Sequence, residues 1–462
     1  MPFNPQVLIP DPARRQIILP VLEAALQAAD PAAAVARALS LSGDVLRVGQ
    51  QQWRLSDYRR VILLGLGKAA TPMAQAVLDA GVPVSQGLIV TKTGHGPENP
   101  AALTPVSILE AGHPTPDARS VHAGQRMADL AQNATADDLI LLLISGGGSA
   151  LLTLPAPGLS LDDLQQTTNL LLASGAEITE INTIRKHLSQ IKGGQLARLA
   201  APATLVSLIL SDVLGNPLHA IASGPAAPDP STWQHAWAII QKYHLQKRLP
   251  PAVRQHLQLG RQGHLPETPK PGDPIFRRTH AVIVGDIARA AAAAHDAARA
   301  QGLNSVILNT HVQGEAREIA KNLVKLGRGV LAKQHPVAPP ACLVTGGEVT
   351  VTLTGSGYGG RNQELALAAA MHLAQNPTEP ISIVALATDG TDGPTDAAGG
   401  LVDTQTWSRA LAAGLNPHQH LNENNSYPLL KATHDLLISG PTRTNVNDLY
   451  LVFILPQGAS HD

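Results

Sequence analysis

The chain has 462 residues, 34 basic against 35 acidic side chains, and only 3% aromatics. A near-neutral chain of mixed sign lacks the field that holds a nucleic acid, and scarce aromatics leave no base-stacking platform. The length exceeds one ordinary core and predicts two domains. The single cysteine, Cys342, lies in an apolar run, cannot close an internal disulfide, and reads as a buried small hydrophobe. Residues Met1 to Pro5 show no basic region followed by an apolar one, and no apolar stretch reaches membrane-spanning length. The expectation is a cytoplasmic enzyme or binding protein, with neither nucleic acid nor membrane as a partner.

Taken in order, residues 11–40 have helical spacing, and Asp30-Pro31 pairs an N-cap with proline at the first helical position. Residues 60–70 read as a strand, a glycine turn and a helix, with further strands at 87–92 and 106–112. The run 139–145 has no polar alternation, so it reads as a strand buried on both faces of a parallel sheet. It stops at Ser145-Gly146-Gly147-Gly148-Ser149. Three glycines let backbone N–H groups crowd toward one point, and beside a helix start such donors cradle phosphate or carboxylate. A tight turn that binds nothing is the plainer alternative.

Residues 161–200 read as helices, and an apolar strand at 204–212 ends in Ser211-Asp212. The Pro-rich segment 246–275 reads as a linker about which two halves move. A second α/β pattern follows, with strands near 279–285, 304–310, 341–345, 348–354, 381–388 and 448–455 and a helix at 287–300. Strands alternating with helices indicate βαβ units and a parallel sheet. Ligands bind beyond the carboxyl ends of such strands. Those ends carry Lys68, Lys92, Glu110, Ser145, Asp212, Asp286 and Asp389, from both halves, which points to a cleft shared by two domains.

Two glycine patterns compete as dinucleotide fingerprints, Gly65-Leu66-Gly67-Lys68-Ala69-Ala70 and Gly355-Ser356-Gly357-Tyr358-Gly359-Gly360. The first has no acid after its next strand. The second finds Asp389 only 29 residues past Gly360, against the expected ~20. Lys68 sits at a helix start, where the dipole disfavours a cation, so it reads either as a solvated lysine or as a group that meets an anionic substrate. Arg361 after two glycines could fork onto phosphate or carboxylate. Asp389 and Asp392, in Thr388-Asp389-Gly390-Thr391-Asp392-Gly393, offer oxygen ligands of the kind Mg²⁺ takes, or simply a turn. Asp212 could bind metal or accept a hydroxyl proton, and His113 in Gly112-His113-Pro114 is a candidate substrate contact.

Together with Ile181-Asn182-Thr183-Ile184-Arg185-Lys186-His187, Lys192-Gly193-Gly194, Ser211-Asp212-Val213-Leu214-Gly215-Asn216, Gly359-Gly360-Arg361-Asn362-Gln363-Glu364 and Gly440-Pro441-Thr442-Arg443-Thr444-Asn445, these motifs resemble the glycerate 2-kinase family, whose C-terminal half is called the MOFRL domain. The resemblance implies an N-terminal Rossmann-like three-layer α/β/α domain with a parallel sheet, over 1–270. A mixed α/β MOFRL domain would follow over 275–462, with the active site in the interdomain cleft. It implies phosphoryl transfer from ATP to D-glycerate with Mg²⁺, and it is compatible with a homodimer. Lys68, Arg361 and Asp212 would be catalytic. Ser145, Gly146, Gly147, Gly148, Ser149, Lys192 and Asn216 would hold the nucleotide, His113, Lys186, Asn362 and Glu364 the substrate, and Asp389 and Asp392 the metal. Alanine at Lys68 or Arg361 is expected to cost turnover and barely change the melting temperature. Some members carry the name hydroxypyruvate reductase, so NAD(P)H-dependent reduction is the alternative activity. A non-catalytic sugar-acid or nucleotide-binding protein is a third reading.

Overall fold

A computed structural model describes residues 12–455; the readings of Met1–Pro5 and of residue 11 lie outside the described residues. The chain divides into two compact units, Pro31–Val284 and a second made of the residues up to Asp30 together with those from Gly285 onward. The division falls at Val284–Gly285 and not at the expected 270–275, and α1 (Pro12–Ala29), which packs on the helix at Ile287–Ala300, belongs to the second unit and not to the expected 1–270 domain. Among the described residues no single helix is long and apolar enough to cross a membrane.

The first unit opens with α2 (Pro31–Ala38) and a small antiparallel sheet of β1 (Leu39–Ser42), β2 (Val45–Val48) and β3 (Gln51–Arg54). Its main sheet uses β4 (Arg60–Leu66), followed by α3 (Ala70–Asp79), then β5 (Val84–Lys92) and β6 (Val106–Ala111), followed by α4 (Ala118–Gln132). It continues with β7 (Asp138–Ile144), which leads into the one-turn helix α5 (Gly148–Leu151), then α6 (Leu161–Ala173), α7 (Ile178–His187) and α8 (Gln195–Ala200). After β8 (Thr204–Leu210) come α9 (Trp233–Lys242), α10 (Pro251–Arg261) and β9 (Thr279–Gly285). The strand order is β6-β5-β4-β7-β8-β9, and the pairs from β6 to β8 are parallel. Numbered within this sheet, that is 3-2-1-4-5-6, the doubly wound order, whose switch point lies between β4 and β7.

The residues dictate this arrangement. Every residue of β7 and β8 is buried, as strands covered on both faces must be. At the start of β7 the Asp138 carboxylate, wholly buried, accepts from Arg60 Nε (2.9 Å) and Nη2 (3.0 Å) and from the Thr135 N–H (2.7 Å). Burial pushes that carboxyl up, but these donors outweigh it and hold it down at about 2. The helices start where side chains satisfy orphan N–H groups: Asp117 with Ser120 boxes α4, and Ser160 with Asp163 boxes α6.

The segment 246–275 is not the linker its composition predicted. It carries α10, whose Val253 and Leu257 are buried with Leu249 in a core shared with Trp233 and Ile184. Thr268 Oγ1 donates to Asp229 Oδ2 (2.9 Å), and Trp233 N–H donates to Glu267 Oε1 (2.8 Å). Proline here shapes a clasp on one unit instead of joining two.

The second unit is built on α11 (Ile287–Ala300), β10 (Asn304–Glu315), α12 (Ala316–Lys333), β11 (Ala341–Thr350), α13 (Arg361–Leu373), β12 (Ile381–Ala387) and β13 (Gly399–Asp403). It ends with α14 (Thr406–Ala412), α15 (Pro417–Asn422), α16 (Ser426–Ala432), β14 (Leu436–Leu437) and β15 (Asp448–Ile454). Its sheet runs β10-β11-β15-β12-β13-β14, parallel only at β10–β11, so it is mixed as expected. The two strands read at 341–345 and 348–354 are one, β11. A Cβ at Gly347 would strike the Val312 backbone on the irregular β10 edge, so the glycine marks a close approach inside the strand.

Arg361, first residue of α13, is pinned. Its Nε donates to Asp448 Oδ2 (2.6 Å), Nη2 to Asp448 Oδ1 (3.2 Å) and Nη1 to Glu348 Oε1 (2.6 Å). Asp448 is only 1% exposed, and burial pushes its carboxyl up to about 7 against the pull of Arg361. The expectation of an unchanged melting temperature for Arg361→Ala is therefore corrected. Truncation strands a buried carboxyl, and with the arginine itself a third exposed the loss should be about 2–3 kcal/mol. Thermal melts should place Arg361→Ala roughly 4–10 °C below the parent. A melting temperature within about 1 °C of the parent would contradict this pairing.

Candidate functional site

At the switch point of the first unit, the loop after β4 and the loop after β7 are knitted together. Ser145 N–H donates to Leu66 O (3.0 Å), Lys68 N–H to Gly146 O (3.0 Å) and Ala69 N–H to the Ser145 hydroxyl (3.0 Å). Ser145 is buried, so its hydroxyl fastens two loops; the expected contact between that hydroxyl and a nucleotide is corrected to this role. The N–H groups of Gly146 and Gly147, in contrast, donate to no group among the described residues. Gly147 takes φ +83, and a Cβ there would come within 3.1 Å of the His113 ring and 3.4 Å of Lys68 Cε. A Cβ on Gly146 would strike the Asp212 carboxylate. Lys68, His113, Gly146, Gly147 and Asp212 thus meet in one place at the carboxyl ends of the first unit's strands.

The electrostatics of this place are cationic. Lys68 is half-buried and makes no ion pair or side-chain hydrogen bond among the described residues. Burial first, then Lys68, Lys92 and His95, hold His113 down at about 4, so its imidazole is neutral at physiological pH. A neutral ring beside an ammonium can orient an oxyanion without adding charge. Gly148 starts α5, and Ser149 Oγ shares a hydrogen bond with Ser223 Oγ (2.8 Å), which in turn donates to Asn182 Oδ1 (3.3 Å). Asn216 takes φ 53 in the turn after β8, and its N–H donates to Val213 O (3.0 Å).

Two basic residues singled out from the sequence are already committed elsewhere. Lys186 is 4% exposed and pairs with the buried Asp229 (3.1 Å), so its expected substrate contact is corrected to a structural ion pair. Lys192 Nζ donates to the Ser149 carbonyl (2.5 Å) and the Leu152 carbonyl (2.7 Å), closing the carbonyl end of α5. Burial, reinforced by the charge of Arg185, pulls Lys192 down to about 7.

Arg185, named in the Ile181–His187 motif, was assigned no role from the sequence, although the signal was present. Ile181, Ile184 and Leu188 form the buried stripe of α7, and Arg185 stands four residues after Ile181 on that same face. A cation in an apolar stripe demands a reason. Arg185 is half-buried, and among the described residues its guanidinium has no hydrogen-bond or ion-pair partner.

The expected sites in the second unit are mostly interior. Asn362 and Glu364 are 0% and 1% exposed; Glu364 is held by Arg317 Nε (2.7 Å) and Asn424 Nδ2 (3.3 Å). Their expected substrate contacts are corrected to packing inside α13. Asp392 accepts from the N–H groups of Asn362 (3.1 Å) and Gln363 (2.9 Å) and from both side-chain amides (3.2 and 3.1 Å), so it caps α13. Those four donors replace the metal expected on Asp392. Asp389 Oδ1 accepts from the Thr391 N–H (3.0 Å) in an Asx turn. Among the described residues no three His, Cys, Asp or Glu side chains gather as a metal cage.

Residues 17–258 match the family described as a domain of unknown function (DUF4147), and residues 341–448 match the MOFRL family. A glycerate 2-kinase of Pyrococcus horikoshii is 40% identical over 441 residues, covering 95% of this chain and 97% of that one. A putative hydroxypyruvate reductase of Agrobacterium vitis is 41% identical over 447 residues, covering 96% and 95%. A crystal structure of a glycerate kinase from Thermotoga maritima superposes with a TM-score of 0.85 at 39% identity, covering 96% of this chain and 100% of that one. The chain therefore belongs to the glycerate 2-kinase family, in which a DUF4147 domain is joined to a MOFRL domain.

Proposed function

We propose that this protein is a cytoplasmic glycerate 2-kinase that moves the γ-phosphoryl group of ATP to the 2-hydroxyl of D-glycerate. The observation that carries the reading is the switch point of the first unit. There the Gly146 and Gly147 N–H groups, with no acceptor among the described residues, lie beside Lys68, which has no ion pair among them. Phosphoryl transfer needs cations, backbone donors and positioning more than a covalent nucleophile. The substrate oxygen attacks phosphorus, the bond from phosphorus to the ADP oxygen breaks, and Asp212 takes the hydroxyl proton. Lys68 meets the charge that spreads over the phosphoryl oxygens, and neutral His113 orients one of them.

Mg²⁺ would enter with ATP as the counter-ion of its phosphates; among the described residues no three His, Cys, Asp or Glu side chains gather as a cage. It would neutralise phosphate charge, and Asp212, beside Gly146, would be the carboxylate of the first unit that holds one position. The glycine loops do not favour the reductase reading. The loop after β4 has no acid after its next strand, and Gly355–Gly360 leads into an interior helix. Arg361 keeps a proposed catalytic role, but with a stability cost that Lys68 does not share.

The kinase assay is ADP release with and without D-glycerate, run beside NADH consumption with hydroxypyruvate. Glycerate-dependent ADP release with no NADH consumption is the expected result; the reverse pattern would sink the kinase reading. Lys68→Ala should lower kcat by about 10²–10³ with an unchanged melting temperature, and Lys68→Arg should not restore it fully. Near-parental turnover in Lys68→Ala would end that assignment. Because His113 stays neutral down to about 4, kcat/KM should show no inflection near the ordinary histidine value of about 6.5. If an inflection there disappears in His113→Gln, the neutral-ring role is wrong.

A further inference from the structure

Beside Ser149, the first unit contains a cavity of about 210 Å³ bounded by α5, α6, α7 and the Pro114–Pro116 turn. Its walls are mainly aliphatic, with Leu164, Leu171, Ile184, Leu188 and the two prolines among them. Two cations, Arg185 and Lys192, line it, and no aspartate or glutamate does. The Lys192 ammonium is bonded to backbone carbonyls, whereas Arg185 has no partner among the described residues. Each of the two cations loses charge stability by burial, and no carboxylate relieves either one. An unpaired guanidinium on an aliphatic wall is costly unless an anion completes it.

We propose that this cavity holds the nucleoside end of ATP, with the base against the aliphatic wall and Arg185 on a phosphate oxygen. This rests on the kinase reading above and adds to it a residue and a pocket. The choice of nucleotide over the acid substrate follows from the lining. Glycerate carries a polar group on every carbon and gains nothing from leucine and proline walls, whereas a purine presents two apolar faces. Position agrees as well. Pro114 follows His113 and Ser149 follows the Gly146–Gly148 loop, so the cavity begins where the phosphate donors end. The chain has few aromatics with which to stack a base, and an aliphatic slot is the alternative it carries. A bidentate guanidinium would discriminate phosphate from water better than the carbonyl-bound Lys192 can.

The test is calorimetric binding of ADP, and separately of inorganic triphosphate, to the whole protein, alongside steady-state kinetics. Arg185→Gln should weaken ADP and triphosphate by about tenfold to a hundredfold, the usual range for losing a charged hydrogen bond. KM for ATP should rise in parallel, while KM for D-glycerate and the melting temperature stay as in the parent. Thr168→Phe, which fills the cavity from α6, should weaken ADP while leaving triphosphate unchanged. ADP binding to Arg185→Gln within twofold of the parent would overturn the proposal. So would a rise in KM for D-glycerate alone, which would assign the guanidinium to a carboxylate. Equal weakening of ADP and triphosphate by Thr168→Phe would remove the base from the cavity. If the parent itself binds no ADP, the kinase reading fails first, so the two failures are distinguishable.

Discussion

Three hydrogen bonds between the loop after β4 and the loop after β7 set everything that the first unit can do chemically. With Ser145 N–H on Leu66 O, Lys68 N–H on Gly146 O, and Ala69 N–H on the Ser145 hydroxyl, the two loops move as one piece. That fixes Lys68 next to Gly147 and leaves the Gly146 and Gly147 N–H groups unspent. Buried parallel strands make the arrangement rigid, because β7 is covered throughout and β4 everywhere but at Arg60, and the two are tied at their other end by the Arg60–Asp138 pair. Preorganised donors of this kind lower a barrier because they need no reorganisation when charge develops.

The basic side chains divide into those already held by a partner and those that are not. Lys186 is paired with Asp229, Lys192 with two carbonyls, and Arg361 with Asp448 and Glu348. These hold turns and helix ends in place, and losing them costs structure before chemistry. Lys68 and Arg185 have no such partner among the described residues. A cation kept partly out of water without a counter-charge is where an anionic ligand gains most, since it removes an existing penalty as it binds.

Much of the architecture was legible because strands buried on both faces announce themselves. The runs at 60–66, 139–145 and 204–212 placed the parallel sheet and its ends, and of the strand-end residues read from the sequence Lys68 and Asp212 lie beside the Gly146-Gly147 loop. Partner choice was not legible. Nothing in Ile184-Arg185-Lys186-His187 alone says that Asp229, more than forty residues on, claims the lysine and leaves the arginine. The same holds for Asn362, Glu364 and Asp392, whose polar pattern resembled a binding motif but is an internal network capping and bracing α13. Composition also misled at 246–275, where prolines shape a clasp whose Thr268 and Glu267 bond back to the core.

The central claim is that the phosphate chain lies on the loop after β7. A crystal structure of the protein with ADP tests it most directly. The account predicts phosphate density within hydrogen-bond distance of the Gly146 and Gly147 N–H groups, with Lys68 Nζ turned onto it. A nucleotide bound in the same crystal at full occupancy, with its phosphates away from Gly146–Ser149, would contradict the account.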